Sequence, residues 1–167
     1  QGYSSAASDV YKRQVPANNG DLWISTLDSI VRFNPHKKTF ITCATDQDKK
    51  AIKTNHITTI FRDSEQHLWL CGEKGISTYI EIGDELKSIL LLPEGSSVNH
   101  NFVNSIYESH NGLFWISTRS GLYRFDTNKK ELKQYTTANG LPNNIVHGVL
   151  EDSYGELWIS TNKGLSR

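Results

Sequence analysis

Gly20-Asp21-Leu22-Trp23-Ile24-Ser25-Thr26, Gln66-His67-Leu68-Trp69-Leu70-Cys71-Gly72, Gly112-Leu113-Phe114-Trp115-Ile116-Ser117-Thr118 and Gly155-Glu156-Leu157-Trp158-Ile159-Ser160-Thr161 are four versions of one phrase. Their tryptophans stand 46, 46 and 43 residues apart, a period that marks propeller-type repeats. Each phrase reads as a short apolar strand with an aromatic centre. Six residues past each Trp comes Ser29, Gly75, Gly121 or Gly164, then Ile30, Ile76, Leu122 or Leu165. An aromatic follows at Phe33, Tyr79 and Phe125, so a turn and a second strand are expected.

Upstream of the last three tryptophans, the runs beginning at Asn55, Asn101 and Asn144 are rich in β-branched residues and end near Asp63, Ser109 and Asp152. Such a run, bounded by Asn and by Asp or Gly, reads as a strand closed by a tight hairpin. A weaker fourth strand is expected over 39–42, 87–92 and 132–135. Four strands per repeat of this length is the composition of a propeller blade. The chain is therefore expected to be all-β, an incomplete β-propeller of two whole four-stranded blades flanked by two partial ones. The boundaries are 18–45 for the first, partial blade, 55–93 and 101–137 for the whole blades, and 144–167 for the last, partial one. The first repeat is expected to lack its innermost strand.

One four-stranded sheet cannot bury both faces alone, so blades pack on their neighbours. Trp23, Trp69, Trp115 and Trp158 are accordingly expected to fill the space between sheets, each indole covering roughly 150–250 Å². Trp115, in the best-preserved repeat, is expected to be buried, its loss costing about 3–5 kcal/mol. Gly75, Gly121 and Gly164 are structural turn residues in this reading, because glycine accepts positive φ. An open arc of blades would expose sheet faces and associate readily.

The 167 residues carry 18 basic and 18 acidic side chains, scattered rather than clustered. That gives no phosphate-neutralising patch, and nucleic acid is not expected as a partner of this segment. Cys43 and Cys71 lie in apolar runs and read as small buried hydrophobes. The sequence has no methionine and starts at Gln1, as an internal piece of a longer gene would. Residues 1–14 look like translated sequencing adapter, which leaves 15–167 as the propeller segment.

The run 139–146, Asn-Gly-Leu-Pro-Asn-Asn-Ile-Val, followed by Glu151-Asp152-Ser153-Tyr154-Gly155 and the last Trp phrase, resembles the two-component regulator propeller repeat. The third repeat, from Asn101 to Asp126, carries the same pattern, and the resemblance extends over residues 18–167. Two departures are Gln66 in place of a turn glycine and Ser29 in place of the second glycine. The resemblance implies the extracytoplasmic sensor region of a Bacteroidetes-type hybrid two-component histidine kinase. In that family, propellers on the periplasmic side of the inner membrane detect oligosaccharides. The kinase, receiver and DNA-binding parts follow elsewhere in a membrane-anchored protein that usually signals as a homodimer.

His36, His56, His67, His100, His110 and His147 are dispersed, with no HExxH and no spacing suited to a metal. No GxSxG elbow or isolated carboxylate pair is present. No cofactor, metal or catalytic constellation is expected. A secreted propeller enzyme of the streptogramin-lyase type and a protein-binding scaffold propeller remain the competing readings. The strand order places the loop leading into each innermost strand beside the hairpin joining the second and third strands. The first set offers His56, His100, Asn101, Asn143 and Asn144, the second Glu73, Lys74, Arg119, Ser120, Asn162 and Lys163. Lys74, Arg119 and Lys163 are taken to share one loop position and to form a basic rim suited to an acidic sugar, against the alternative of solvated surface charge.

Overall fold

In the computed structural model, residues 14–26, 30–42, 56–83 and 85–167 are described. Ser29, Cys43 and Asn55 lie outside the described residues, as do residues 1–13. The chain forms four antiparallel meanders. Blade 1 is β1 (Gln14–Pro16), β2 (Leu22–Ser25), β3 (Ile30–Asn34) and β4 (Thr39–Thr42). Blade 2 is β5 (Ile57–Arg62), β6 (Leu68–Gly72), β7 (Gly75–Ile82) and β8 (Glu85–Ile89). Blade 3 is β9 (Val103–Glu108), β10 (Leu113–Thr118), β11 (Gly121–Asp126) and β12 (Glu131–Tyr135). Blade 4 is the three-stranded β13 (Val146–Glu151), β14 (Leu157–Thr161) and β15 (Gly164–Ser166). Innermost strands β5, β9 and β13 stand side by side, which makes the sheets successive propeller blades.

Two expectations are corrected. Blade 1 has all four strands: Gln14, Val15 and Pro16 pair with Ile24, Trp23 and Leu22. Three residues suffice because β1 is an edge strand ending in proline, whose missing N–H costs no ladder bond there. Gln14, assigned from sequence to the foreign leader, thus belongs to a sheet. The fourth strand of blade 2 runs Glu85–Ile89 rather than over 87–92. The turn at Gly83 (φ 60°) sets Ile82 opposite Glu85, and Leu92 leaves the sheet to be buried beside Trp69 and Val98.

The turn glycines behave as their spacing implies. Gly75, Gly121 and Gly164 have φ of 104°, 129° and 105°, and a Cβ at Gly121 would run into the Tyr135 carbonyl. Gln66 takes φ 69° where Gly112 and Gly155 take 75° and 80°. The side chain changes at this position while the turn persists.

Successive strand residues face opposite ways, and this divides each blade into two faces. Phe61 is opposite Trp69 and Cys71 opposite Ile76, and this face lies against Ile106, Phe114, Ile116 and Tyr123 of blade 3. The Trp69 ring stacks on Phe114, centroids 4.8 Å apart and planes 29° apart. Trp23 faces blade 2 in the same way, beside Ile57, Ile60 and Leu68. Trp115 faces Val146, Val149 and Leu157 of blade 4. Trp23, Trp69 and Trp115 therefore each cover, and are covered by, the blade that follows.

Their burial is graded accordingly. Trp23 and Trp69 have no exposed surface, Trp115 is half-buried, and Trp158 is 39% exposed. Full burial of Trp115 is thus not found. Leu157 stands where Phe114 stands in the preceding seam, and an isobutyl group covers less of an indole than a phenyl ring does.

Polar contacts fix one end of each seam and, between blades 2 and 3 and between blades 3 and 4, the other end as well. At one end the residue after each hairpin corner donates its backbone N–H to a carboxylate of the next blade. Ser64 donates to Glu108 Oε2 at 2.8 Å and His110 to Glu151 Oε2 at 2.9 Å. Blade 2 has Arg62 where Glu108 and Glu151 stand, and Glu81 replaces them, accepting from Asn18 N at 3.1 Å while ion-paired to Arg62 at 2.7 Å. At the other end the innermost strands carry a bulge that skips Thr58, Asn104 and His147. A bulge re-aims its extra residue. Thr58 Oγ1 donates to the Val103 carbonyl at 2.6 Å, and Asn104 Nδ2 to that of Val146 at 2.7 Å.

Within blades 2 and 4 the indole N–H also has an acceptor six residues upstream. Trp69 donates to Asp63 at 2.8 Å and Trp158 to Asp152 at 2.9 Å. The bond from Trp158 is the leading cause holding the Asp152 carboxyl below its ordinary range. Ala17 occupies this place in blade 1, and among the described residues the Trp23 N–H has no acceptor. Cys71 is fully buried, and burial pushes its thiol pKa up, as expected of a small core residue rather than a reactive one.

Trp69→Ala should cost about 3–5 kcal/mol by removing both the Phe114 stack and the seam core. Trp158→Ala should cost about 1 kcal/mol or less, its main loss being one exposed hydrogen bond. Urea denaturation of the two variants checks the difference. The Glu151 carboxyl is held below its ordinary range chiefly by the His110 backbone N–H, against the opposing effect of partial burial. A folded-state pKa below the unfolded one gives stabilisation that is present above the ordinary carboxylate range and is lost as pH falls through the folded value. Glu151→Gln should remove that part of the acid dependence, read as a flatter stability profile between about pH 5 and pH 3.

Candidate ligand-binding face

In blades 2, 3 and 4 the hairpin joining the second and third strands has two turn residues: Glu73 and Lys74, Arg119 and Ser120, Asn162 and Lys163. Threonine braces two of them. Thr118 Oγ1 accepts from Ser120 N at 3.0 Å and donates to the Gly121 carbonyl at 2.8 Å. Thr161 does the same with Lys163 N and the Gly164 carbonyl, at 3.2 and 3.1 Å.

The first turn residue of each hairpin is tied to the loop leading into the innermost strand of its own blade. Arg119 N donates to the Phe102 carbonyl and Asn162 N to the Ile145 carbonyl, both at 3.2 Å. In blade 2 the tie is through side chains, His56 Nδ1 lying 3.1 Å from Glu73 Oε1, both groups half exposed. The structure thus brings the two sets of loops together in blades 2, 3 and 4.

The shared position assigned to Lys74, Arg119 and Lys163 is corrected by the register. Lys74 and Lys163 are equivalent second turn residues, with Ser120 between them in the series. Arg119 is equivalent to Glu73 and Asn162. Its guanidinium carbon lies 3.8 Å from the centroid of the Phe102 ring, a cation–π contact that turns it toward the leading loop. Lys74 and Lys163 make no side-chain hydrogen bond or ion pair among the described residues.

His56 adopts φ 60°, a left-handed conformation uncommon outside glycine. His100 closes a short 3₁₀ turn, Ser97–His100, with its side chain outside what is described. The asparagines hold loops in place: Asn101 Nδ2 donates to the Ser97 carbonyl and to the Tyr123 hydroxyl, each at 2.9 Å. Asn144 Oδ1 accepts from Thr137 N and Asn143 Oδ1 from Ile145 N, each at 2.8 Å.

Two residues of this face escaped the sequence reading. Phe102 supplies the ring under Arg119, and His147 Nε2 lies 2.6 Å from Asn162 Oδ1. Phe102 could have been found as an aromatic at the place taken by His56 and Ile145 in neighbouring repeats. His147 could not, because its aim follows from the bulge. A shallow cleft of about 320 Å³, lined by Ser64, Tyr107, Glu108 and His110, opens at the opposite end of the sheets. It includes the Ser64–Glu108 contact and belongs to the seam. Among the described residues no group of three His, Cys, Asp or Glu side chains could hold a metal ion, and no helix is long and apolar enough to cross a membrane.

Comparison with known proteins supports this architecture. Residues 97–120 and 140–163 match the family described as two component regulator propeller. Histidine kinase P4 of Formosa agariphila is 28% identical over 174 residues, covering 74% of this chain and 13% of that protein. A Bacteroides thetaiotaomicron protein, described as the extracellular domain of a hybrid two component system, superposes with a TM-score of 0.70 at 19% identity, over 92% of this chain and 20% of that one. Virginiamycin B lyase from Staphylococcus aureus superposes with a TM-score of 0.60 at 16% identity, over 92% of this chain and 53% of that one. At these identities the superpositions establish the fold, and this chain spans about a fifth or less of its two sensor-type relatives. The matched segments fall in blades 3 and 4, which are thus similar to two-component regulator propeller repeats, and the chain as a whole has the β-propeller scaffold of its structural neighbours.

Proposed function

We propose that this chain is a ligand-sensing segment of an extracytoplasmic propeller, that it takes glycan fragments on the face built by the leading loops and the paired hairpins, and that its signal passes to a histidine kinase. The observation that carries this reading is the match of two consecutive repeats to the regulator propeller family, on blades whose loop pairs share a scaffold and differ in side chains. The same backbone tie presents Phe102 with Arg119 in blade 3 and Ile145 with Asn162 in blade 4. Loops varied on a rigid frame are where binding specificity is placed.

A sugar suits the chemistry on offer. Pyranose rings have apolar faces that stack on an aromatic, and hydroxyls that pair with Arg, Asn, His and Glu side chains. Phe102, Arg119, His147, Asn162, His56 and Glu73 supply both kinds of contact, and Lys74 and Lys163 add positive charge for a carboxylated sugar. The kinase assignment rests on the likeness to histidine kinase P4. A periplasmic location, on a membrane-anchored protein signalling as a homodimer, rests on the family resemblance and on the extracellular description of the structural neighbours. The lyase shares the fold at 16% identity, and the reading as a sensor rests instead on the regulator propeller match.

In the intact sensor protein, Arg119→Ala should weaken glycan binding measurably while changing stability by no more than about 1 kcal/mol, the scale of an exposed cation–π contact. Calorimetric titration with a panel of neutral and acidic oligosaccharides, alongside thermal melts, checks both halves. Unchanged affinity for every ligand that the parent binds would contradict the placement of the site. Conversion of any panel member to product would favour an enzyme.

A further inference from the structure

The backbone ties on the ligand face have a second set of contacts behind them. In blade 3 the Phe102 carbonyl accepts from Arg119 N of its own blade at 3.2 Å, and the next carbonyl along the chain, that of Val103, accepts from Thr58 Oγ1 of blade 2 at 2.6 Å. In blade 4 the Ile145 carbonyl accepts from Asn162 N at 3.2 Å, and the Val146 carbonyl from Asn104 Nδ2 of blade 3 at 2.7 Å. Thr58 Oγ1 also lies 3.1 Å from the Cys71 carbonyl of its own blade, so the shorter contact across the seam is the one its single hydrogen serves best. Ser105 Oγ adds another donor across the second seam, to the His147 carbonyl at 3.0 Å.

Two successive carbonyls belong to the two peptide planes on either side of one residue, Val103 in blade 3 and Val146 in blade 4. A peptide unit is planar, so fixing both planes fixes φ and ψ of the residue between them. Both valines are fully buried and stand first in their innermost strands. The residue before each, Phe102 or Ile145, therefore meets the strand in a direction set from two sides, by its own hairpin and by the preceding blade. In blade 3 that direction carries the ring on which the Arg119 guanidinium lies, 3.8 Å from the ring centroid. The backbone tie is not automatic to the repeat: His56, at the same place in blade 2, has φ 60° and meets its hairpin through side chains.

We infer that Thr58 and Asn104 are positioning residues of the ligand face, each setting from one blade the loop and hairpin that the next blade presents. Thr58 sets Phe102 and Arg119, and Asn104 sets Ile145 and Asn162. Each acts through the backbone of the next blade rather than by touching a ligand. The inference rests on the reading of this face as the binding site and adds the residues, placed one blade away, that determine its geometry.

Nuclear magnetic resonance of the full chain separates positioning from a general loss of stability. Protons of the Arg119 side chain lie over the Phe102 ring and should resonate upfield in the parent. Thr58→Val keeps the shape of the side chain and removes the donor. It should move those signals downfield toward ordinary arginine positions and leave the Asn162 amide signal in place. Asn104→Ala should do the reverse, shifting the Asn162 amide and sparing Arg119. Asn104→Thr should return that amide toward its parent position, because Thr58 makes the same contact one seam earlier. A lower melting temperature with both sets of signals in their parent positions would show a purely structural role and overturn the inference. Movement of both sets in either variant would do the same. If Thr58→Val does not fold, the two Asn104 variants carry the test at the next seam. In the intact sensor protein, Thr58→Val should also reduce the affinity loss that Arg119→Ala causes for any oligosaccharide the parent binds, and an undiminished loss would count against the positioning. Signals that move as stated in a protein that binds no oligosaccharide of the neutral and acidic panel would leave the positioning standing and remove the glycan reading.

Discussion

The structure depends on the contact between the indole of one blade and the sheet of the next, seen in full where Trp69 stacks on Phe114. A four-stranded meander has two faces and no interior, so a blade gains a core only by sharing one with its neighbour. Indole serves this seam because it covers a large apolar area while its N–H stays within reach of an aspartate at the hairpin corner. Trp69 has that aspartate, whereas Trp23, facing the same kind of seam, does not. The apolar area is thus the common element and the hydrogen bond an addition.

The polar contacts at either end of the seam give it a register that apolar packing alone would leave loose. Hydrophobic burial is non-directional, and two flat sheets could slide by a residue pair at modest cost. A bulge donor at one end and a backbone N–H to a carboxylate at the other each require a particular offset. Blade 2 shows how strongly the second contact constrains the fold. With Arg62 at the usual acidic place, Glu81 from a different strand reaches the same N–H, and Arg62 becomes its counter-ion. The chemistry of the contact is kept while its residues change.

The Trp period, the glycine turns and the four-strand rhythm were legible in the sequence because they recur, and they led directly to the observed sheets. Burial of individual tryptophans was not legible, since it depends on what the next blade presents: Phe114 covers Trp69 fully, Leu157 covers Trp115 in part. The bulges were invisible for a related reason. Thr58, Asn104 and His147 are three different residue types, and only the pairing shows that the ladder skips them. On the candidate face, the proximity of leading loops and hairpins followed from strand order alone. Lys74, Arg119 and Lys163 do lie in equivalent hairpins, but a count of charges near a turn does not fix the turn residue that each occupies, and Arg119 takes the first where the lysines take the second.

The account rests on tryptophan burial set by the following blade, and site-resolved fluorescence quenching tests it most directly. Four variants of the chain, each keeping one tryptophan with the others replaced by Phe, should give a graded response to acrylamide. Trp23 and Trp69 should be nearly inaccessible, Trp115 intermediate and Trp158 readily quenched. Equal accessibility at all four sites, or a shielded Trp158 beside an accessible Trp69, would contradict it.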